Sequence, residues 1–336
     1  MFRAHHEEDL AGQVALVTGA SRGLGLLLAG ELAKRGCRLA ICARTASELR
    51  DAAERLRSTG AEVLALPCDL SREGAAERLA HDVLGHYGAV HVLVNNAGII
   101  QVGPFETMTL DDYHEAMDTM FFGPLRLTLT LLPSMRARAD GRIVMIGSIG
   151  GRLAPPHLAP YAAAKFAVTG FSEAATAELA AEGISVTTVV PGLMRTGSHL
   201  RVMFRGRARA EYRWFGPAAS LPLLSMNAER AARAIVRATA SRRPLLTLSA
   251  PARAGALAHG MAPGATIRLL RLANKLLPNA PASVIASGTA PGPGQEVDEG
   301  ACGTAPAASR LLRGMTGLGD AAARRLNQCP ATTRPR

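Results

Sequence analysis

Aromatic side chains are scarce in this 336-residue chain: one Trp, four Tyr and eight Phe, 4% of the whole. Any local cluster of them is therefore informative. Lysine is scarcer still. Only Lys34, Lys165 and Lys275 stand among 38 basic residues, so a Lys inside a motif weighs more than an Arg. The five cysteines form no CxxC pair, which excludes a disulfide scaffold, and no metal site is expected. They read as small buried hydrophobes of a reducing compartment. No run of about 18 uncharged apolar residues occurs, so nothing is expected to span a bilayer. The opening MFRAHHEEDL is acidic and lacks the apolar centre of a secretory signal, and a cytoplasmic location is expected. The 34 glycines have no three-residue period, which excludes a collagen-like chain.

What is present suffices for a sizeable core. Hydrophobic residues make up 48% and charged residues 19%, which excludes disorder as the default state. The net charge of +11 is unevenly placed. Residues 1–190 hold 17 basic and 21 acidic side chains, a net of −4, whereas residues 191–336 hold 21 and 6, a net of +15. A basic half invites a nucleic-acid reading. No helix-turn-helix, finger or RNA-binding strand motif accompanies it, so no nucleic-acid partner is expected.

Short apolar runs alternate with helical patterns from residue 13 to about 190. Strands are expected at 14–18, 39–42, 63–66, 92–94, 142–146 and 185–190. Helices are expected near 24–35, 46–58, 72–86, 109–138 and 160–182. Strands that are apolar throughout and separated by helices predict an α/β, doubly wound parallel sheet covered on both faces. Beyond Gly192, Asn227 is a candidate N-cap for a helix at 228–239, and 244–248 is a candidate last strand.

The first strand runs into TGASRGLG, Thr18 to Gly25. In such a strand–turn–helix, Gly19 makes the tight turn, Gly23 lets backbone approach a pyrophosphate, and Gly25 allows close helix–strand packing. The following helix N–H groups, from Ser21 and Arg22 through Leu24, face the phosphates. A dinucleotide site then needs a group to read the adenosine ribose. Strand two ends in Ala43-Arg44 without an acid, which suits a 2′-phosphate, and Arg22 adds a second charge; a solvated surface role is the plainer alternative for each. Asp69, before Leu70, could accept from an adenine amino group or could simply cap a turn. Ser148 directly follows strand five. Tyr161 and Lys165 are four apart, on one face of a helix. An ordinary phenol titrates near about 10, and a nearby ammonium would favour the phenolate. Alone, such a pair is usually a surface feature.

Together these residues resemble the short-chain dehydrogenase/reductase family over residues 12 to about 250. The resemblance is carried by TGASRGLG, NNAG at 95–98, Ser148, YAAAK at 161–165, and Pro191-Gly192 with Thr196. It implies a Rossmann-like sheet of strand order 3-2-1-4-5-6-7 and an NAD(P)(H)-dependent enzyme acting on a carbonyl/alcohol pair as a homodimer or homotetramer. Combined with Arg44, it implies NADP(H) over NAD(H). By motif position Ser148 binds the carbonyl, Tyr161 is the acid–base, and Lys165 also holds the nicotinamide ribose. Asn96, Ala97 and Gly98 flank the coenzyme, and Pro191, Gly192 and Thr196 lie along its nicotinamide end. One position departs from the pattern. Met120 stands where the family usually has an Asn that holds a proton-relay water, and a thioether cannot do that. A catalytically weak cofactor-binding protein is the alternative this suggests.

Residues 203–215 lie where the family places a substrate lid. They hold Phe204, Tyr212, Trp214 and Phe215 with Arg205, Arg207, Arg209 and Arg213 interleaved. An apolar carbonyl substrate is one reading, and aromatics packing the lid onto the core is the other. His157 reads as an exposed loop residue rather than a catalyst. Residues 1–250 form the expected catalytic domain, with the lid at about 195–226. A basic helical extension follows at 251–285, a flexible linker at 286–308, and a short helix and tail at 309–336. In the extension, residues 266–277 place Arg268, Arg271 and Lys275 opposite Leu269, Leu270, Ala273, Leu276 and Leu277. That leucine face either packs on the core or a second subunit, or lies in an anionic membrane surface.

Overall fold

A computed structural model describes residues 9–220, 225–280, 295–296, 318 and 321–328. Seven strands form one sheet: β1 (Val14–Thr18), β2 (Arg38–Ala43), β3 (Val63–Pro67), β4 (Val92–Asn95), β5 (Gly141–Ile146), β6 (Ile184–Pro191) and β7 (Leu245–Leu248). Their spatial order is β3-β2-β1-β4-β5-β6-β7 with every pairing parallel, as the resemblance implied. Each expected strand is present within a residue or two at either end. The apolar runs made them legible because both faces of the sheet are buried.

Alternate residues of β1 show how the layers divide. Ala15 and Val17 pack with Leu28 and Leu32 of α1 (Gly23–Lys34), Leu49 and Ala53 of α2 (Ala46–Arg57), and Ile235 of α8 (Ala228–Ala240). Val14 and Leu16 face the other way. They meet Leu79 and Val83 of α3 (Ala75–Tyr87), Leu127 and Leu131 of α5 (Gly123–Arg138), and Val168 of α6 (Ala159–Leu179). Each fully buried Val, Leu or Ile contributes roughly 1.5–3 kcal/mol relative to exposure, so two such layers fix the sheet. The Asn227 cap is present: its side chain accepts from the Arg230 N–H at 2.8 Å. Cys37 and Cys42 are buried, and burial pushes both thiols up, Cys37 to about 11.

Three differences from the sequence-based expectation bear on the site. The single helix expected over 109–138 is three pieces: α4 (Leu110–Met117), a π-helical turn at Asp118–Phe122, and α5. A capping box of Thr109 and Asp112 starts α4. Second, the basic aromatic stretch after Gly192 contains a helix, α7 (Ala208–Ser220), below a short strand at Met203–Phe204. Third, the extension is two helices, α9 (Ala250–Met261) and α10 (Pro263–Asn274). Of the leucine face at 266–277, Leu269 and Leu276 are more than half exposed among the described residues, whereas Leu270 and Leu277 are partly covered. The linker expected at 286–308 lies outside the described residues apart from Gln295–Glu296, as does most of 309–336 apart from 318 and 321–328. Among the described residues no helix is long and apolar enough to cross a membrane.

Candidate active site

β1 and β4 are neighbours, yet their following helices lie on opposite faces. A doubly wound sheet opens a crevice at such a point, at the carboxyl ends of its strands. A cavity of about 530 Å³ lies there, and every site residue singled out from the sequence lines it, from Gly19 to Thr196.

One wall is the glycine turn. Gly19 and Gly23 have positive φ, at 65° and 57°. A Cβ on Gly25 would lie 2.3 Å from the Gly19 carbonyl oxygen, so no other residue fits. Thr18 holds this turn to β4: its Oγ1 accepts from the Asn96 and Ala97 N–H groups at 2.9 and 3.0 Å. Asn96 completes the brace, its Nδ2 donating to Thr18 O at 2.9 Å and to Gly19 O at 3.3 Å. Its amide is thus spent on the turn.

At the adenosine end, Arg22 is ion-paired to Glu48 on the first turn of α2. Arg201 donates to the other Glu48 oxygen at 3.0 Å. Burial lowers the Arg22 pKa against the opposing pull of Glu48, and Arg201 and Arg44 lower it further. Arg44 is about half exposed, its one ion pair among the described residues a long 3.9 Å contact with Glu115. Two guanidiniums therefore share the Glu48 carboxylate, with the Arg44 charge close to Arg22. Asp69 makes a local turn: its Oδ1 accepts from the Ser71 Oγ at 2.7 Å and from the Ser71 N–H at 3.2 Å. The turn-cap alternative accounts for that oxygen.

Across the cleft, β5 ends below Ser148, which caps a short 3₁₀ turn and accepts from the Gly150 N–H at 3.0 Å. Tyr161 and Lys165 stand on the first two turns of α6. The Ser148 hydroxyl near the Tyr161 phenol favours its ionisation, but burial outweighs it and pushes the phenol up rather than down. The lowering expected from the ammonium is not what the geometry gives. Lys165 Nζ donates to Ile146 O at 2.7 Å and stands 5.8 Å from the Tyr161 ring centre. Burial brings the ammonium itself down to about 8. Met120, on the π-helical turn, is buried in a cluster with Ile99 and Ala164 against Tyr161. Beside it, the buried Thr119 hydroxyl lines the cavity without a hydrogen-bond partner.

The lid closes the far end. Phe204 meets Tyr212 and Phe215 edge-on, while Trp214 and Phe215 also line the cavity. Packing and cavity lining are thus the work of one aromatic cluster. The exposed-loop reading of His157 is corrected: its side chain is only 6% exposed, because Nδ1 is bonded at 3.0 Å to the wholly buried Glu211 of α7. Trp214 Nε1 donates to the same carboxylate at 2.8 Å. Sequence reasoning also missed Glu48, Arg201 and Gln328. Glu48 had a signal, its place one turn beyond Arg44. Gln328 had none.

Fold and cleft together define a dinucleotide-binding protein of the doubly wound class. The profile of the family described as short chain dehydrogenase matches residues 13–202, and the chain belongs to that family of NAD(P)-dependent oxidoreductases acting on CH–OH and C=O groups. It is 36% identical over 208 residues to an Anopheles gambiae dehydrogenase/reductase SDR family protein 7-like, covering 60% of this chain and 66% of that protein. To a fatty acyl-CoA reductase of Acinetobacter baylyi it is 34% identical over 197 residues, covering 58% of this chain and 67% of that one. Among solved structures, a short-chain dehydrogenase from Streptomyces avermitilis superposes with a TM-score of 0.67 at 33% identity, covering 79% of this chain and 97% of the other. A metagenomic short-chain oxidoreductase in complex with NADP superposes at 0.53 with 35% identity, covering 56% and 86%.

Proposed function

We propose that this chain is an NADP(H)-dependent reductase or dehydrogenase that interconverts a ketone or aldehyde and an alcohol on an apolar substrate. The observation that carries the reading is that one cavity holds both halves of the site. Its glycine-turn half is ringed by Arg22, Arg44 and Arg201, and its other half joins Ser148 and Tyr161 to an aromatic lid. The turn fits a dinucleotide because Gly19 and Gly25 bring backbone against backbone with no room for a Cβ, and Gly23 has a positive φ. The nicotinamide, when bound, gives or takes the hydride at the reacting carbon. Ser148 Oγ polarises the carbonyl oxygen, and Tyr161 gives that oxygen its proton in reduction and removes it in oxidation. Lys165, fixed by Ile146 O, supplies the positive charge beneath. The intact Ser148–Tyr161–Lys165 set weighs against a merely cofactor-binding protein. Oxidation of NADPH on adding long-chain ketones, against polar ones, tests the reading; no turnover with any carbonyl would overturn it.

The coenzyme preference rests on charge. Arg22, Arg44 and Arg201 against Glu48 and the more distant Glu115 leave a surplus of positive charge that a 2′-phosphate matches. Arg44→Ala is expected to weaken NADPH about tenfold and to leave NADH nearly unchanged, since a charge-assisted contact is worth about 1.5–3 kcal/mol before screening. Titration calorimetry with both coenzymes reads this. Equal affinities in the parent protein would sink the preference.

The exposed face of α10 also has a proposed role. Arg268, Arg271 and Lys275 stand beside Leu269 and Leu276, which the described residues leave exposed, as in helices that lie in an anionic membrane surface. The full chain should sediment with anionic vesicles at low salt and not with neutral ones. Concentration-dependent dimerisation without vesicle binding would assign the face to a second copy instead.

A further inference from the structure

Residues 321–328 do not project from the fold; they sit on the glycine turn. Residues 321–325 are helical, and Ala322 and Leu326 are buried against Ala228 and Leu27. The fit is close enough that a Cβ on Gly197 would come within 2.4 Å of Ala323 Cα. Polar bonds pin the segment on three sides. The Gly23 N–H donates to Leu326 O at 2.8 Å. Asn327 Nδ2 donates to Ser21 O at 2.9 Å, and Arg201 Nε donates to Gln328 O at 2.8 Å. The segment is thus bonded to both sides of the Arg22 peptide.

This anchorage delivers the Gln328 side chain to the N-terminus of α1. A Cβ on Gly23 would meet its Nε2 at 2.6 Å and the Thr196 Cβ at 3.9 Å. Gln328 is 5% exposed and lines the cavity, and its Oε1 is buried with no hydrogen-bond partner. Buried polar atoms are nearly always paired, so an orphan acceptor on a side chain that lines a cavity asks for a donor that a small turn of its amide could bring within reach. We propose that Gln328 is a coenzyme-binding residue, its amide closing the wall of the cleft over the diphosphate and the adjoining ribose. The proposal rests on the dinucleotide reading above. An amide suits that place because it offers a donor and an acceptor together. Phosphate oxygens only accept, whereas a ribose hydroxyl beside them can donate to Oε1. Leu326 O takes the Gly23 N–H, while Leu24 and Gly25 still line the cleft.

The site also predicts how the effect divides between coenzymes. Arg44 reads the 2′-phosphate, which only NADPH has. Gln328 lies by the diphosphate, which both have. Gln328→Ala is therefore expected to weaken NADPH and NADH alike, about tenfold each, with the melting temperature of the coenzyme-free protein unchanged. Gln328→Glu is expected to weaken both further, because a carboxylate then faces the diphosphate. Calorimetric affinities and thermal melts of the full chain read these effects. Amide hydrogen exchange gives a second measure: NADPH should slow exchange in residues 321–328 of the parent protein. Unchanged affinities in both Gln328 variants would overturn the assignment while leaving the cleft reading intact. Tighter binding would overturn it too, by showing the segment to be an obstruction. A parent protein that binds neither coenzyme would overturn the cleft reading and this assignment with it.

Discussion

Tyr161→Phe is expected to lower turnover by about 10² to 10⁴-fold while leaving coenzyme affinity within about twofold of the parent, the usual contribution of a positioned general acid. The substitution removes one oxygen and keeps the ring. The ring packs closely: a Cβ on Gly150 would meet its Cε1 at 3.1 Å, so the phenyl group holds its place. What goes is the hydroxyl beside Ser148. His157, four residues before, has its Nδ1 committed to Glu211 on the lid. Steady-state rates at saturating carbonyl, beside calorimetric coenzyme affinities, separate the two effects. A residual rate near that of the parent would remove Tyr161 from the proposed chemistry.

Lys165→Met is expected to move activity and stability in opposite directions. Burial depresses the ammonium from 10.5 to about 8, with Ile146 O as its recorded hydrogen-bond partner. At about 1.36 kcal/mol per pH unit, holding that charge inside costs the coenzyme-free fold about 3 kcal/mol below pH 8. Between pH 8 and 10.5 the unfolded chain keeps a proton that the folded chain has released, so stability rises with pH in that window and is level below it. A methionine fills similar volume without the charge. It should raise the melting temperature at pH 7 and abolish the alkaline rise, less the lost hydrogen bond. Turnover should fall by about 10²-fold or more, since the positive charge beneath the phenol is gone. In the parent, reductive kcat/KM should decline above about pH 8 as Lys165 loses its proton. A variant no more stable than the parent would show that the buried ammonium carries no such penalty.

The parts of the site that the sequence disclosed are those whose chemistry is local. Thr18 to Gly25 is one turn, Tyr161 and Lys165 are one helical turn apart, and each strand announced itself by a short apolar or β-branched run. The π-helical turn at Asp118–Phe122 stayed hidden because it barely disturbs an apolar period that continues on both sides. His157 was misjudged for another reason. Its burial is decided by Glu211, more than fifty residues away on a helix that polar composition concealed. Arg22 was rightly placed in the cleft, but its ion pair with Glu48, and the share of that carboxylate taken by Arg201, needed three elements to meet. The leucine face of α10 was legible as a face. Which surface covers it was not a property of its own twelve residues.

The seating of Asn327 on Ser21 links positions 306 residues apart. A ribosome adds about 5–20 residues per second, so the turn that opens the sheet waits some tens of seconds for the residues that complete it. Closing so long a loop is entropically unfavourable, but only logarithmically so, and the docked alanines and leucine can offset it. The nascent chain can thus assemble its β-strands and still lack a finished coenzyme wall. The earliest element made is the last to mature, and a nick anywhere between α10 and residue 321 would leave that wall held by noncovalent contacts alone.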